Sequence, residues 1–472
     1  MLTIDVQLQP ADLLPAIQEM WAQSERVLDE LDASWTADQG SPVFTVQGKY
    51  LAQGWTEWTQ GFQFGSLLLQ FDACGTERFL TQGCEQIRKF MAPHVSHIGV
   101  HDHGFNNVST YGAIRRLMLE GRIRWDRHQL DYAELALKVS GAVQAARWSR
   151  VYTGGGYLYS FNGPQSLFAD TMRSLRALAL AHLLGHRLMG ENDESISLLD
   201  RLIQHAQSTA QFNVYYGDQR DIYDTPGRVA HESLFNTNDG HYRCPSTQQG
   251  YSPFSTWTRG AAWIMLGFAE QLEFLKQVPD DELTGHGGRA VVERMMLQAA
   301  RISSDAFLRE APTDGIPYWD TGAPGLAHLP DWRERPADPW NRYEPVDSSA
   351  AAIAVQGLIR LGHYLGTENE EGRRYVQAGL TMLRTLLSET YLNRQPGHQG
   401  LLLHTIYHRP RGWDYIPPGQ SVPCGESCMW GDYHLREACL QVQRLARQEP
   451  VYTFFGPVPL PSTDPGTGQV PA

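Results

Sequence analysis

An all-α fold is predicted by three features of the sequence. Apolar residues recur at spacings of three and four over most of the chain, which is the pattern of an amphipathic helix. The alternation of apolar and polar residues that marks a half-buried strand is scarce. Glycine, proline, asparagine and aspartate cluster between the periodic segments, as in Thr313–Pro317, and such clusters indicate turns.

About a dozen helices follow from this periodicity. The first begins near Leu13 and the sixth at Asp170, and Gly190 is placed to stop the sixth. The predicted helices cover roughly 13–28, 62–73, 78–92, 108–121, 128–149, 170–189, 194–212, 256–277, 288–308, 347–365, 370–390 and 430–447.

Twelve helices of similar length can close into two concentric rings of six, with the more apolar helices inside. This arrangement is an (α/α)6 barrel, a toroid of six helical hairpins. An open helical solenoid is the alternative, but no fixed period of roughly 30 to 50 residues is visible. We expect one catalytic domain over residues 1–455 and a proline- and glycine-rich tail over 456–472.

The composition supports a globular protein and argues against several partners. Apolar residues make up 42% of the 472 residues and aromatic residues 11%, enough for a large core. The formal net charge of -13 repels phosphate backbones and anionic lipids, so neither nucleic acid nor a membrane is an expected partner. An acidic protein can still bind an acidic sugar, because recognition depends on the local field inside a cleft.

The N-terminal residues and the cysteines predict a cytoplasmic protein. Residues 1–10 carry no basic segment followed by an apolar one, and no stretch supplies about twenty consecutive apolar residues. The six cysteines show no paired CxxC arrangement, so we expect mostly reduced thiols, with a disulfide or a metal site as the alternative. No feature of the sequence indicates an oligomeric state.

Asp170 is the first candidate catalytic residue. It begins a predicted helix and is preceded by the aromatic and glycine-containing stretch 157–163. A carboxylate at a helix start commonly accepts hydrogen bonds from free amides, and this structural role remains open. Beside aromatic rings, however, partial desolvation raises the pKa of a carboxyl toward the working range of a general acid, and we expect such a rise for Asp170.

Asp102 is the second candidate, flanked by His101 and His103. The triplet has the composition of a metal site, but residues two apart do not share a helix face, so the three side chains could not converge from one helix. An ordinary hydrogen-bonded loop is a further alternative. We interpret Asp102 as a sugar-binding or catalytic carboxylate and expect neither a metal nor a cofactor.

The segment Gln249–Trp263 combines the residue types that hold an anionic sugar. Arg259 provides a planar guanidinium that pairs bidentately with a carboxylate. Trp257 or Trp263 can cover the apolar face of a sugar ring. The structural alternative is that both tryptophans fill the core and that Arg259 pairs with an internal aspartate.

At these residues the sequence resembles the unsaturated glucuronyl hydrolases of glycoside hydrolase family 88. The resemblance extends from about Trp55 to Glu437, and its motifs occur in the family's order. They are Trp58–Phe62, His101–Phe105, Asp170–Met172, Thr247–Tyr251, Ser255–Trp263, Tyr318–Asp320, Asp347–Ala352 and Trp430–Tyr433.

The resemblance implies an (α/α)6 barrel that removes a 4,5-unsaturated uronic acid from the non-reducing end of oligosaccharides made by polysaccharide lyases. Asp170 matches the family's principal acid/base and Asp102 its second essential carboxylate. The implied chemistry is hydration of the C4=C5 double bond, which needs one positioned acid and no metal. The positions that resemble residues gripping the unsaturated sugar are His101, His231, Gln249, Arg259 and Trp263.

His231 is a candidate through the resemblance alone, since a lone histidine in a polar stretch is usually a surface or hydrogen-bonding residue. Four segments depart from the family pattern, and we expect them to line or border the cleft and to affect substrate choice. They are Arg173–Arg176, Gln63–Phe64, Asn106–Asn107 and the apparent insertion Tyr215–Val229.

Two other functions remain as alternatives. One is an ordinary inverting glycosidase on the same barrel, with Asp102 and Asp170 as its acid and base. The other is a non-catalytic sugar-binding barrel. The polymer that supplies the substrate and the acceptance of sulfated sugars are left open by the sequence.

Overall fold

Twelve long helices dominate the computed structural model, which describes residues 1–54 and 57–456. The tail predicted over 456–472 therefore lies outside the described residues except for Gly456, as does Trp55. In chain order the helices are α1 (Leu14–Asp32), α2 (Gln60–Cys74), α3 (Glu77–Phe90), α4 (His103–Asn107, continued by a π-helical turn Val108–Gly112 and by Ala113–Leu119), α5 (Arg127–Ala146), α6 (Thr171–Ser174, continued by Arg176–Leu183), α7 (Leu198–Phe212), α8 (Thr258–Leu275), α9 (Arg289–Glu310), α10 (Ser348–Leu365), α11 (Glu370–Leu386) and α12 (Met429–Ala446).

All of the predicted helices are present, and the sixth is the one whose end differs most. We expected α6 to continue to Gly190, but it ends at Leu183. Gly185 takes a left-handed backbone conformation, with φ of 71°, and so stops the helix sooner. Residues 188–196 then form a short hairpin.

The even-numbered helices form an inner ring and the odd-numbered helices an outer one. Almost every residue of α8, α10 and α12 is buried, whereas α3 and α11 bury one face. Each inner helix packs on the next, and α12 packs on α2, which closes the ring. The (α/α)6 barrel follows from this arrangement, and the solenoid alternative is wrong.

Side-chain caps begin several helices, as expected for their starting residues. Asp126 accepts hydrogen bonds from the backbone of His128 and Gln129 at the start of α5, and Asn369 caps α11. Asp347 caps α10 through the backbone N–H of Ser349. Asp347 is buried, so its other contacts lie inside the barrel.

In the described part of the chain, nine short strands lie in the connections between helices. Among them, β5, β8 and β9 form an antiparallel sheet in which Phe168 pairs with Glu232. The strands are β1 (Phe44–Val46), β2 (Lys49–Leu51), β3 (Trp148–Arg150), β4 (Gly156–Leu158), β5 (Ser166–Phe168), β6 (Leu188–Met189), β7 (Ser195–Ile196), β8 (Glu232–Phe235) and β9 (Tyr242–Ser246). This sheet places Asp170, two residues after β5, beside His231, one residue before β8.

Close approach between inner helices brings the two candidate carboxylates together. A Cβ atom on Gly104 would lie 2.3 Å from the backbone oxygen of Ser174, so any larger residue would push α4 away from α6. Asp102 precedes α4 and Asp170 precedes α6. The glycine therefore allows both helix starts to meet at one end of the barrel.

The other end of the barrel is closed by the segment 451–456. Tyr452 and Phe454 are buried there, and the ring of Tyr452 lies 4.6 Å from the guanidinium carbon of Arg116. Within residues 1–54 and 57–456, no helix is long and apolar enough to cross a bilayer.

Candidate active site

A cavity opens where the inner helices begin, and it collects most of the predicted site residues. The loops that precede α2, α4, α6, α8 and α12 all contribute to its wall. The predicted residues that line it are His101, Asp102, Asp170, Gln249, Trp257, Arg259 and Trp263. His231 lies directly behind this wall, where it contacts the backbone of Gln249.

His101 stands between the two candidate carboxylates. Its Nε2 atom lies 3.1 Å from Oδ1 of Asp170 and 3.7 Å from Oδ1 of Asp102. His101 is almost fully buried, and Asp102 and Asp170 are each less than a tenth exposed. The three groups therefore form one coupled proton-binding cluster in a setting that excludes most water.

The pKa of Asp170 is lowered, which is opposite to the rise that we expected. Burial alone would raise this pKa, but the charge of His101 and its hydrogen bond outweigh burial. The sequence shows the aromatic neighbours of Asp170 but not the position of the His101 imidazole. Asp170 is thus ionised in the free protein when His101 is protonated.

The pKa of Asp102 is raised, and that of His101 is raised as well. Burial is the main cause for Asp102, and the negative charge of Asp170 adds to it. For His101, burial acts in the lowering direction, but the charges of Asp102 and Asp170 outweigh it. The cluster consequently retains protons that an isolated carboxylate would lose.

His231 is buried and neutral rather than a surface residue. Its Nδ1 atom accepts the backbone N–H groups of Gln248 and Gln249 at 3.1 and 3.2 Å. Burial lowers the pKa of His231 to about 4. Its ring centroid lies 4.5 Å from that of Phe168 and 4.6 Å from that of Trp257. His231 therefore holds the segment that carries Gln249 in place.

Arg259 pairs with an internal aspartate, the structural alternative raised from the sequence. Its Nη1 atom lies 2.7 Å from Oδ2 of Asp347, and its Nη2 atom donates to Gln249 at 2.9 Å and to the carbonyl of Tyr407 at 2.7 Å. Nη1 also donates to the carbonyl of Ile406. The two NH₂ groups are thus engaged by protein, so the bidentate grip on a sugar carboxylate that we expected would require Gln249 to move.

Both tryptophans serve the core and the cavity wall at once. Trp257 and Trp263 are less than a twentieth exposed. Trp263 packs on Phe105 with ring centroids 4.9 Å apart, and the guanidinium of Arg259 lies 4.5 Å from the centroid of Trp257. Each tryptophan can therefore pack in the core and contact a sugar at the same time.

The triplet around Asp102 does not converge on a common point. His103 turns away, with Nδ1 2.9 Å from Oγ of Ser140 and Nε2 3.0 Å from the carbonyl of His97. Burial lowers the pKa of His103 to about 4. The geometry thus supports a structural role for His103 and gives no support to a metal site at the triplet.

Two of the four departures lie in the barrel interior, contrary to our expectation that all would line or border the cleft. Arg173 pairs with Glu270 at 2.8 Å and with Glu437 at 3.1 Å, and it is fully buried. Asn106 accepts the backbone N–H of Gly61 at 2.8 Å and so joins α4 to α2. These side chains are parts of the fold because their partners lie on other inner helices.

The other two departures border different cavities. Gln63 lies in a groove between α1, α2 and α3. Within Tyr215–Val229, the residues Thr225 and Arg228 line a cavity formed with α8 and α9. Neither segment lines the cavity that holds Asp102 and Asp170.

Several wall residues were missed by the sequence reasoning. Tyr407, His408 and Trp413 come from the long connection between α11 and α12, and Phe161 comes from the loop before β5. Trp58 was quoted only as part of a motif, and its ring stacks on that of Trp430 at 4.9 Å. The aromatic residues clustered in 407–415 are the only signal in the sequence that could have drawn attention to this connection.

Comparison with known proteins finds that the chain is similar to enzymes of one kind. It is 25% identical over 417 residues to an unsaturated glucuronyl hydrolase of Bacillus sp. (strain GL1), covering 86% of this chain and 92% of that protein. It is also 25% identical to an unsaturated chondroitin disaccharide hydrolase of Streptococcus pyogenes serotype M1, covering 84% of each. No protein-family model matches the sequence.

Solved structures agree with these relatives in fold. The crystal structure of the unsaturated glucuronyl hydrolase from Bacillus sp. GL1 superposes with a TM-score of 0.67 at 23% identity, covering 91% of this chain and 96% of that one. A complex of that kind of enzyme with dGlcA-Glc-Rha-Glc has the same TM-score and covers 92% and 97%. The resemblance noted in the sequence, the (α/α)6 barrel and the prediction of an enzyme are confirmed.

Proposed function

We propose that this chain, a relative of the unsaturated glucuronyl hydrolases, removes a 4,5-unsaturated uronic acid from the non-reducing end of oligosaccharides released by polysaccharide lyases. The reaction is hydration of the C4=C5 double bond. The observation that carries the proposal is the contact of one nitrogen of His101 with both Asp170 and Asp102, inside a cavity walled by tryptophans and Arg259.

The first step transfers a proton to C4 of the enol ether. Asp170 is the proton donor. It receives its proton from His101, whose Nε2 atom lies 3.1 Å away and whose pKa is raised. The uronate carboxylate of the substrate adds a negative charge to the cavity. Since a like charge raises the pKa of a carboxyl, binding favours the protonated form of Asp170. The electron-rich double bond then accepts the proton of Asp170, and an oxocarbenium-like centre forms at C5.

The second step adds water to C5. Asp170, now a carboxylate again, accepts the proton that the attacking water loses. The product is a hemiketal at C5, which opens to a ketone and leaves C1 as a hemiacetal that expels the aglycone. General acid–base transfer of this kind contributes on the order of 10²–10⁴-fold in rate.

Asp102 and Arg259 prepare the cavity for this chemistry. Asp102, whose pKa is raised mainly by burial, lies on the cavity wall, where it can hydrogen-bond the sugar. Arg259 contributes a fixed positive charge and orients the side chain of Gln249. Trp257 and Trp263 provide apolar surface for the sugar ring.

The spacing of the two carboxylates disfavours the inverting alternative. Because both contact one nitrogen, their Oδ1 atoms are at most about 7 Å apart, at the lower edge of the roughly 6.5–9.5 Å that inverting glycosidases keep between their carboxyl groups. Little room is left for a water molecule and a glycosidic bond between them. Hydration needs only one acid beside the double bond.

A single assay separates these functions. The protein is incubated with unsaturated disaccharides from chondroitin, heparin, hyaluronan, gellan, ulvan and pectic sources while the ultraviolet absorbance of the enol ether is followed. Loss of that absorbance with release of the aglycone is expected for at least one of them. Cleavage of saturated glycosides without that loss would favour the inverting glycosidase, and binding without turnover of any disaccharide would favour the non-catalytic barrel.

A further inference from the structure

His408 is a wall residue of the same cavity that neither the motifs nor the predicted site includes. It lies in the connection between α11 and α12, close enough to Arg259 to interact with its charge. Its residue surface is only 2% exposed. The side chain is therefore buried in the part of the cavity that faces the predicted sugar-binding residues.

Both ring nitrogens of His408 are buried without a hydrogen-bond partner in another described residue. Most buried polar atoms in proteins are paired, because an unpaired one loses its hydration and gains nothing in return. Two unpaired nitrogens on one side chain are therefore costly to the folded protein. A ligand that supplies the missing partners would account for that cost.

The surroundings hold the imidazole in one orientation. Asp414 accepts the backbone N–H of His408 at 2.9 Å and that of Tyr407 at 2.5 Å, which fixes the main chain. The ring packs edge-on against Trp413 and Tyr407, with centroids 5.0 and 6.2 Å away. His408 is thus prepared for binding before any ligand arrives, since its ring is already ordered.

The imidazole is neutral at every pH at which the protein would work. Burial lowers the pKa of His408 to about 3, and the positive charges of Arg411 and Arg259 act in the same direction. A neutral imidazole offers one donor and one acceptor. Because the two nitrogens point in different directions, each needs its own partner. Sugar hydroxyl groups can meet both needs, since each can donate or accept, whereas a sulfate or carboxylate group only accepts.

We propose that His408 is a substrate-binding residue whose imidazole hydrogen-bonds hydroxyl groups of the bound saccharide, and that Asp414 is the positioning residue that holds it there. The inference rests on the proposed function and adds a specificity element to the same site. It predicts that the sugar contacting His408 carries free hydroxyl groups at that position rather than a charged substituent.

The decisive variant is His408→Phe, which keeps a flat ring against Trp413 and removes both nitrogens. Two measurements are made: KM with the disaccharide that the wild-type protein consumes fastest, and the thermal midpoint of unfolding. We expect KM to rise roughly tenfold, since the sugar hydroxyl groups lose their partners. We expect the midpoint to rise, on the order of 2 °C, because two unpaired buried nitrogens are gone.

Two further variants complete the experiment. His408→Gln retains a donor and an acceptor, and its KM should lie within about threefold of the wild-type value. His404→Asn is the matched control, because His404 is a buried histidine of the same connection that does not line the cavity, and asparagine tolerates its left-handed φ of 63°. This control should leave KM unchanged.

Each outcome decides the matter. An unchanged KM in His408→Phe, an equal rise in the His404 control, or a fall in the midpoint of His408→Phe would overturn the inference and leave the proposed function intact. Calorimetric binding of the disaccharide to Asp170→Asn with and without His408→Phe tests affinity without turnover, and equal affinities would also overturn it. Failure of the wild-type protein to consume any of the six disaccharides would instead refute the proposed function.

Discussion

The two ends of the barrel interior both hold buried charges, but they hold them differently. Deep in the barrel, Glu437 lies 3.1 Å from Arg173 and accepts a hydrogen bond from Tyr452 at 2.9 Å. At the cavity end, one imidazole is placed between two carboxylates, so Asp102 and Asp170 compete for the same partner. The deep end pairs its charges, whereas the cavity end leaves one acid without a full counterion.

The pKa values follow this difference. Burial acts to raise the pKa of Glu437, but the charges of Arg173 and Arg176 outweigh it and lower the pKa to about 2. The pKa of Asp102 is raised, because the effect of burial exceeds the lowering effect of the charge on His101. Paired buried charges stabilise one protonation state, while incompletely paired ones remain able to exchange protons at a working pH.

The largest effect should come from Asp170→Asn at the cavity end. The change is nearly isosteric, so the fold should persist, but the amide cannot deliver a proton to C4. We expect turnover of an unsaturated disaccharide to fall by about 10²–10⁴-fold. Asp126→Asn is the matched control, because Asp126 also begins a helix but lies at the surface. Turnover that survives in Asp170→Asn would remove this residue from catalysis.

The next largest effect is expected from a substitution at the deep end, and it changes stability rather than activity. Glu437→Gln removes one of the two buried carboxylates that pair with Arg173 and Arg176, which should lower the free energy of unfolding by about 3–5 kcal/mol in denaturant titrations. The remaining folded protein should keep its KM. Glu371→Gln, which breaks an exposed pair with Arg301, should cost less than about 1 kcal/mol.

The pH dependence of that loss has a definite sign. The folded pKa of Glu437 is depressed, so its contribution to stability is present above the unfolded value near 4.5 and is lost as pH falls toward 2. The difference in unfolding free energy between the wild-type protein and Glu437→Gln should therefore shrink below pH 4.5. A difference that grows on acidification would contradict the pairing.

The fold was predictable because its signal is local. Apolar spacing within each helix and cap residues such as Asp126 and Asn369 depend on neighbours only a few positions away. The barrel followed from the number and similar length of the helices. The early end of α6 depended on one glycine conformation, which the spacing of apolar residues does not encode.

The site was predictable only where motifs marked it. Asp102 and Asp170 carry recognisable neighbours, and the cavity contains both. The pairing of Arg259 with Asp347 joins residues 88 positions apart, and the spacing of apolar residues along the chain cannot predict such a contact. The direction of the Asp170 pKa shift depends on where His101 lies in space. His408 was missed for the same reason, since a loop residue becomes part of a cavity only after the chain has folded.

Arg259→Lys should produce a smaller change at the cavity end. Lysine keeps the charge but lacks the planar donors that Arg259 uses with Asp347, Gln249 and the carbonyl of Tyr407. We expect KM to rise about tenfold, with a smaller change in kcat, since the wall of the cavity loosens while Asp170 stays in place. An unchanged KM would show that Arg259 is a structural residue alone.

The smallest expected effect is a shift in pH dependence on replacing His101 by glutamine. In the wild-type protein the pKa of His101 is raised above its ordinary value of about 6.5. Below pH 6.5 His101 therefore carries a proton, and its ion pairs stabilise the fold. Both the proton and this stabilisation are lost as the pH rises through the higher pKa of the folded protein. The basic limb of kcat/KM should follow that loss. In His101→Gln the proton must stay on Asp170 or Asp102, and carboxyl groups release protons at lower pH than a raised histidine. The basic limb should therefore move down by about one pH unit or more, and identical limbs in the two proteins would mean that His101 does not supply the proton.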